Sequence, residues 1–346
     1  MGHWVLAGDI GGTKTAVGLF RPSDLGVANG GRKNPPVPVV SGRYKSRDYE
    51  GLVPILVEFL KAHASDLGGM PVSVATFGVA GPVIGSRSET TNLPWTIDAD
   101  EIASFFGWAQ GSVRLINDLV AMGWGINLVA PEDFATLREG IPDPGGNGVL
   151  VAPGTGLGEA FLLRDGTFFR PLPSEGGHAD WAPFDREQAL LLEYLWKTYP
   201  HVSVERILSG PGLVHILRFL TRDGSIEPLL SPNIPEEDLP ARISAAALEG
   251  QSKLAVRTLT LFSLILAQEV GNMALKGLAT GGVFLGGGIP GKVLPFLQCE
   301  PFLSRVAQKG RYRSLLEKIP VRVLMDEATP LFGAALEAGI RADRFV

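Results

Sequence analysis

Residues 4–20 read WVLAGDIGGTKTAVGLF, and residues 149–163 read VLVAPGTGLGEAFLL. Each is an apolar, strand-like run, a turn of Gly and Thr, and a second strand-like run. The repeat of one strand-turn-strand unit predicts an α/β protein with a duplicated core and a ligand between two lobes.

The surroundings of each copy extend this reading. After the first come a helical pattern at Leu52, Ile55, Leu56, Phe59 and Leu60, a strand at VSVATFGVAG, and an irregular segment, TNLPWTIDADEIASFFG, that ends as a helix. The Pro/Gly-rich loop GIPDPGGNG precedes the second copy. Helical patterns from EQALLLEYLWKTY to MALKGLA follow, then a strand GVFLGGGIP and a closing strand and helix at VRVLM and PLFGAALEAGI. The expected division is a small domain over residues 1–128, rejoined by a C-terminal helix over about 327–346, and a large domain over 129–326.

Composition narrows the partners. A hydrophobic fraction of 45% with 19% charged residues is that of a compact soluble chain, and a net charge of -5 offers no basic field for nucleic acid. One cysteine, Cys299, rules out an intramolecular disulfide and a Cys-rich zinc site, which fits a reducing cytoplasm. The first residues lack an export signal. The most apolar run, LTLFSLILAQEVGNMAL, is interrupted by Gln268 and Glu269 and reads as a buried helix too short to span a bilayer, so no membrane partner is expected. Glycine is abundant, 44 residues, and clusters behind apolar runs, where backbone must turn tightly or approach a ligand.

Six short segments carry chemistry. In GDIGGTKT, residues 8–15, a glycine turn exposes backbone N–H groups suited to phosphate oxygens, with hydroxyls from Thr13 and Thr15. It is not a P-loop, because Thr13 stands where that pattern needs Gly; alone, a plain hairpin turn explains it as well. A related turn, APGTGLGEA, and a third glycine cluster, GGGIPGK at 286–292, add two more such surfaces, the last also readable as a helix N-terminal turn. In SEGGHADWAP, Glu175 and His178 stand three apart, and the intervening glycines favour a loop that hydrogen-bonds a polar ligand over a metal-binding helix. Glu205, in VSVERILSGPGL, is either a further ligand or a first-turn complement to a helix dipole. Finally, LINDLVAMGWGI, residues 115–126, sets Asn117 and Asp118 at a strand-to-helix junction, where either helix capping or catalysis accounts for them.

GDIGGT, NLPW, INDL, GTGLG, EGGHADWAP, ERILSGPGL and GGVFLGGGI occur here in the order found in the bacterial-type glucokinases, which this chain resembles over nearly its whole length. That family belongs to the hexokinase, heat-shock 70 and actin superfamily. The related ROK kinases typically carry a Cys-rich zinc segment that one cysteine cannot supply. The resemblance implies a two-lobed actin-like ATPase (ribonuclease H-like) fold with an inter-lobe cleft, and transfer of the γ-phosphoryl of ATP to the 6-hydroxyl of glucose, the opening step of glycolysis. Asp118 matches the catalytic base. Asn117, Asp118, Glu175, His178 and Glu205 match the sugar ligands, and Asn92 lies in the segment joining the sugar pocket wall. Gly8, Asp9, Ile10, Gly11, Gly12 and Thr13 match the first phosphate turn, Gly154, Thr155 and Gly156 the second, and Gly286, Gly287 and Gly288 the adenosine side. Asp9 matches the acidic residue near Mg²⁺, which it would hold through water. A homodimer is also implied.

Three rival readings define tests. A kinase for another hexose or an amino sugar would differ only in sugar preference. A sugar-responsive regulator would need a DNA-binding segment, for which no room is expected before Gly8. A chaperone-like or filament-forming ATPase would turn over ATP without sugar.

Overall fold

The structure, a computed structural model, describes residues 3–25, 36–90, 93–224, 227–230 and 233–342. Asn92 and residues 26–35, in the Pro- and Gly-rich stretch GVANGGRKNPPVPVVSGRY at 26–44, lie outside the described residues. Packing divides the chain into two compact units. Unit 1 comprises Met1–Asp133, Arg164–Pro173 and Asp326–Val346, and unit 2 comprises Phe134–Leu163 and Ser174–Met325.

In unit 1, strands β1 (Trp4–Ile10), β2 (Lys14–Phe20), β3 (Val40–Lys45) and β4 (Val72–Val79) are followed by a small sheet of β5 (Val83–Ile84), β6 (Arg87–Glu89) and β7 (Thr96–Asp98), and then by β8 (Val113–Asn117). The main sheet has the order β3-β2-β1-β4-β8. β1–β2 and β2–β3 are antiparallel hairpin pairs, while β1–β4 and β4–β8 are parallel. Helix α1 (Leu52–Ala62) buries Leu52, Ile55, Leu56 and Phe59, the apolar stripe its spacing predicts. After the short α2 (Ala64–Leu67), α3 (Ala99–Phe106) starts at the cap Asp98, whose carboxylate accepts from the N–H groups of Asp100 and Glu101. Helix α4 (Asp118–Gly125) follows β8 directly.

Two features of unit 1 bear on the site. The C-terminal helix Thr329–Ala342 is buried along most of its length, and a polar network fixes its register. Arg341 donates to the Ala75 carbonyl and the Thr76 hydroxyl, while Glu337 accepts from Thr76 and from Arg114 at 2.8 Å. The second feature is residues 164–173. Asn127, just past α4, donates through Nδ2 to the Phe169 carbonyl at 2.9 Å and accepts from the Phe169 N–H at 2.6 Å, and Trp124 stacks on Phe168. That two-point amide clamp ties the segment to unit 1, although it lies far from the rest of the unit in sequence.

Unit 2 repeats the strand plan of unit 1. It holds β9 (Phe134–Arg138), β10 (Gly148–Pro153), β11 (Leu157–Asp165, which runs out into unit 1), β13 (Gly282–Leu285) and β14 (Val321–Leu324), and β12 (Phe168–Ser174) leads the chain back to it. β11–β10 is antiparallel, β10–β13 and β13–β14 are parallel, and β14–β9 is antiparallel. The helices α5 (Arg186–Trp196), α6 (Gly210–Leu220), α7 (Leu239–Leu248) and α8 (Lys253–Lys276) cover a core that includes Leu191, Leu217, Ile243, Phe262 and Ile265. The sequence reading of α8 needs correction. At 24 residues it is long and apolar enough to cross a membrane, and Gln268 and Glu269 do not shorten it. Most of that span, 72%, is buried inside the protein, so the helix is a core element with its two polar residues paired within the fold.

Candidate functional site

In unit 1, register gathers the acidic residues at one end of the sheet. Asp9 pairs with Gly78, and Gly78 with Ile116, so the carboxyl ends of three parallel strands meet beside the start of α4. Ligands of open α/β sheets bind at such ends. Gly78 leaves the space between them clear: a Cβ there would come within 2.9 Å of Ala121 Cβ.

The Asn-Asp pair divides its work at this junction. Asn117 is the cap, accepting the Leu119 N–H at 2.9 Å, and its Nδ2 donates to the Gly81 carbonyl at 3.2 Å. One amide N–H remains for a ligand. Asp118 is the first residue of α4, where its charge complements the helix dipole, and one of its oxygens also accepts from the Leu119 N–H.

Asp9 sits half-buried beside it. Burial, and then the charge of Asp118, push the Asp9 carboxyl up to about 7 from its ordinary 3.8. The folded chain therefore holds this proton more tightly than the unfolded one, and stability falls as pH rises from about 4 through 7. Asp9→Asn should raise the stability of ligand-free protein at pH 8 by about 4 kcal/mol, with the gain vanishing near pH 4. Thermal melts of both proteins across that range test this; equal stability at pH 8 would refute it.

The first glycine turn is narrower than its sequence suggests. Gly8 and Ile10 belong to β1, and Ile10 is buried in the core, so they offer only main chain. The turn itself is Gly11, Gly12 and Thr13, closed by the Gly11 N–H donating to Lys14 O. Ser46 buttresses it, donating to the Gly11 carbonyl at 2.8 Å and pairing with the Thr15 hydroxyl at 3.0 Å. Thr15 is fully buried, so the expectation that its hydroxyl faces a phosphate is overturned; Thr13 is exposed.

Unit 2 assembles the remaining residues. Glu175 precedes a single 3₁₀ turn, Gly176–His178, and its exposed side chain caps nothing. His178 lies 4.0 Å from Glu175 Oε2 through Nε2 and 3.9 Å from Glu205 Oε1 through Nδ1. The three polar side chains thus converge. Glu205 also accepts the Leu157 N–H at 2.8 Å, and a Cβ on Gly156 would overlap its Oε2. The glycine therefore admits the carboxylate, which ties the second glycine turn to the convergent cluster. Glu205 is held by that turn, and the cap of the next helix, α6, is Ser209.

The other two glycine clusters of this unit lie against each other. Gly210 donates to Gly154 O at 2.8 Å, and Gly286 to Val151 O at 3.0 Å. Gly287, at φ +80°, packs against the Pro153 carbonyl, 2.7 Å from where a Cβ would stand. Thr155 and Gly288 rim a cavity of about 750 Å³ whose walls come from α6 and α7, including Pro211, Val214, Pro240 and Ala241. That size and apolar lining suit a nucleoside.

With the geometry in view, comparison with known proteins is decisive. Residues 6–339 match the Glucokinase family. The chain belongs to the glucokinase family. The glucokinase of Nostoc punctiforme is 38% identical, over 96% of this chain and 98% of its own. Among solved structures, a glucokinase from an Antarctic psychrotroph superposes with a TM-score of 0.81 at 29% identity, covering 97% of this chain and 98% of that one. A Balamuthia mandrillaris glucokinase crystallised with glucose, 22% identical with a TM-score of 0.75, covers 98% of this chain and 94% of its own and shares the fold. The glucokinase-family fold is the actin-like ATPase fold that the duplicated units describe. Sequence reasoning missed Ser46 and Glu159, both buried polar residues beside the glycine turns; Glu159 stands out only as a charge in an apolar run, and Ser46, between Lys45 and Arg47, gives no signal.

Proposed function

We propose that this chain, an ATP-dependent glucose kinase by family, uses Asp118 as the general base for the 6-hydroxyl of the sugar. The observation that carries this is the placement of Asp118 at the carboxyl ends of β1, β4 and β8, next to Asp9. A hydroxyl is a weak nucleophile, and a carboxylate within hydrogen-bond reach orients it and accepts its proton as the new P–O bond forms. Positioning and charge neutralisation dominate such transfers. Glu175, His178 and Glu205 are assigned to the other sugar hydroxyls, and Asn117 to orientation through its remaining N–H. Asn92, outside the described residues, stays assigned by resemblance to the wall of the sugar site.

The turns Gly11–Thr13 and Gly154–Gly156 are assigned to the phosphates, Gly8 and Ile10 supporting the first through the main chain, and Gly286–Gly288 with the adjoining cavity to adenosine. The residues also fit a divalent cation. Asp9 and Asp118 repel one another, and among the described residues no group of three or more His, Cys, Asp or Glu forms a full protein cage. A site with one carboxylate, waters and substrate phosphates is the usual Mg²⁺ arrangement. Asp9 would hold the ion through water, and the ion would neutralise phosphate charge.

The same reading includes a cytoplasmic, glycolytic role and a homodimer, the latter measurable by light scattering. A coupled assay across glucose, mannose, fructose and N-acetylmannosamine, with ATP, ADP and polyphosphate as donors, tests the substrates. The highest kcat/KM should fall on glucose with ATP, and ATP turnover should require sugar. Equal or better efficiency on another sugar, or sugar-independent turnover, would refute the assignment.

A further inference from the structure

The turn carrying Glu175 and His178 rests on a carboxyl group that the proposed reaction does not use. Glu159, in β11, is fully buried, and neither carboxyl oxygen has a hydrogen-bond partner among the described residues. A Cβ on Gly176 would overlap Glu159 Oε2, and one on Gly177 would overlap the Leu157 carbonyl. Leu157 also donates its N–H to Glu205. The first residues of β11 are thus the floor under the convergent cluster, and Glu159 is the part that reaches Gly176.

Its surroundings disfavour the charged form. Burial and then Glu269, on α8, push Glu159 up to about 7, with Lys276 opposing. Glu269 itself accepts from Asn272 at 2.8 Å and has Lys276 Nζ at 3.6 Å; Lys309, bonded to Asn272, also faces it. On the other side, β10 sets Val151 opposite Glu159 and carries no titratable group. A buried carboxylate with no donor and a second carboxylate nearby is strongly disfavoured, whereas the neutral acid keeps the same shape at far lower cost.

We propose that Glu159 is a positioning residue for the sugar, a buried strut whose contact with Gly176 sets where Glu175 and His178 point. This rests on the reading of those two residues as sugar ligands. Because Glu159 acts on the turn and not on the nucleotide cavity, its loss should weaken glucose selectively.

The experiment compares glucose KM, ATP KM and kcat for Glu159→Ala, Glu159→Asp, Glu159→Gln and Glu175→Gln, with thermal melts to verify folding. Ala removes the strut and Asp withdraws it by one methylene. Both should raise glucose KM about tenfold while ATP KM and kcat stay within about twofold, since small misplacements of binding groups are costly. Gln, of the same length and uncharged, should restore glucose KM to within about threefold. A parallel rise of both KM values, or a Gln variant as impaired as Ala, would overturn the proposal. If Ala does not fold, the contrast of Asp with Gln decides. A Glu175→Gln variant with unchanged glucose KM refutes the sugar-ligand reading; a raised one beside unaffected Ala and Asp variants refutes only the role of Glu159.

Discussion

Asp118→Asn should lower kcat by about two to four decades while glucose KM and ATP KM change only a few-fold, the scale of a lost acid–base group. The amide keeps the size of the carboxylate and can still accept the Leu119 N–H, so the start of α4 survives. What it cannot do is take a proton. The alternative, that Asp118 serves the helix alone, predicts a loss of about 0.5–2 kcal/mol in stability with turnover nearly intact. The structure already weakens that alternative, because Asn117 holds the cap position and Asp118 is the first helical residue. Steady-state kinetics on folded variant protein separate the two: unchanged kcat would end the catalytic assignment.

The Asn-Asp pair also illustrates how much was legible beforehand. Its place at a strand-to-helix junction was readable because β-branched and apolar residues stop at Ile116 and helical spacing resumes at Leu119. Which residue caps was not, since either side chain can accept the same N–H and only the backbone angles decide. The hairpin plan of the two glycine turns was readable for the same local reason, and family motifs carried the chemistry. Long-range contacts were hidden. Thr15 looked like a phosphate ligand until Ser46, 31 residues away, claimed its hydroxyl. Residues 164–173 looked like part of the large domain because nothing local reveals the amide clamp from Asn127. Glu159 drew no notice in the sequence, because its burial and the influence of Glu269, 110 residues on, are set by tertiary packing.

Gly333→Ala should destabilise the protein by about 3 kcal/mol or more, the upper range for forcing atoms into a packed interior. Gly333 lies in the C-terminal helix where that helix crosses α4, and a Cβ there would overlap the Ala121 carbonyl oxygen. Gly125 faces the same helix from the other side, with the Thr329 carbonyl in the position a Cβ would take. The small residues of DLVAMGWG thus let two helix backbones touch. Neighbouring elements leave little room for retreat: Ala121 is already packed on Gly78, and the Arg341–Glu337–Thr76 network fixes the C-terminal helix on the sheet. Helix propensity alone predicts the opposite sign, a gain of about 1 kcal/mol for Gly→Ala within a helix. Urea denaturation therefore discriminates by direction: a higher midpoint at unchanged slope means the two backbones are not in contact. A lower midpoint, accompanied by a fall in kcat in the fraction that remains folded, means that the helix crossing positions Asp118 as well as stabilising unit 1.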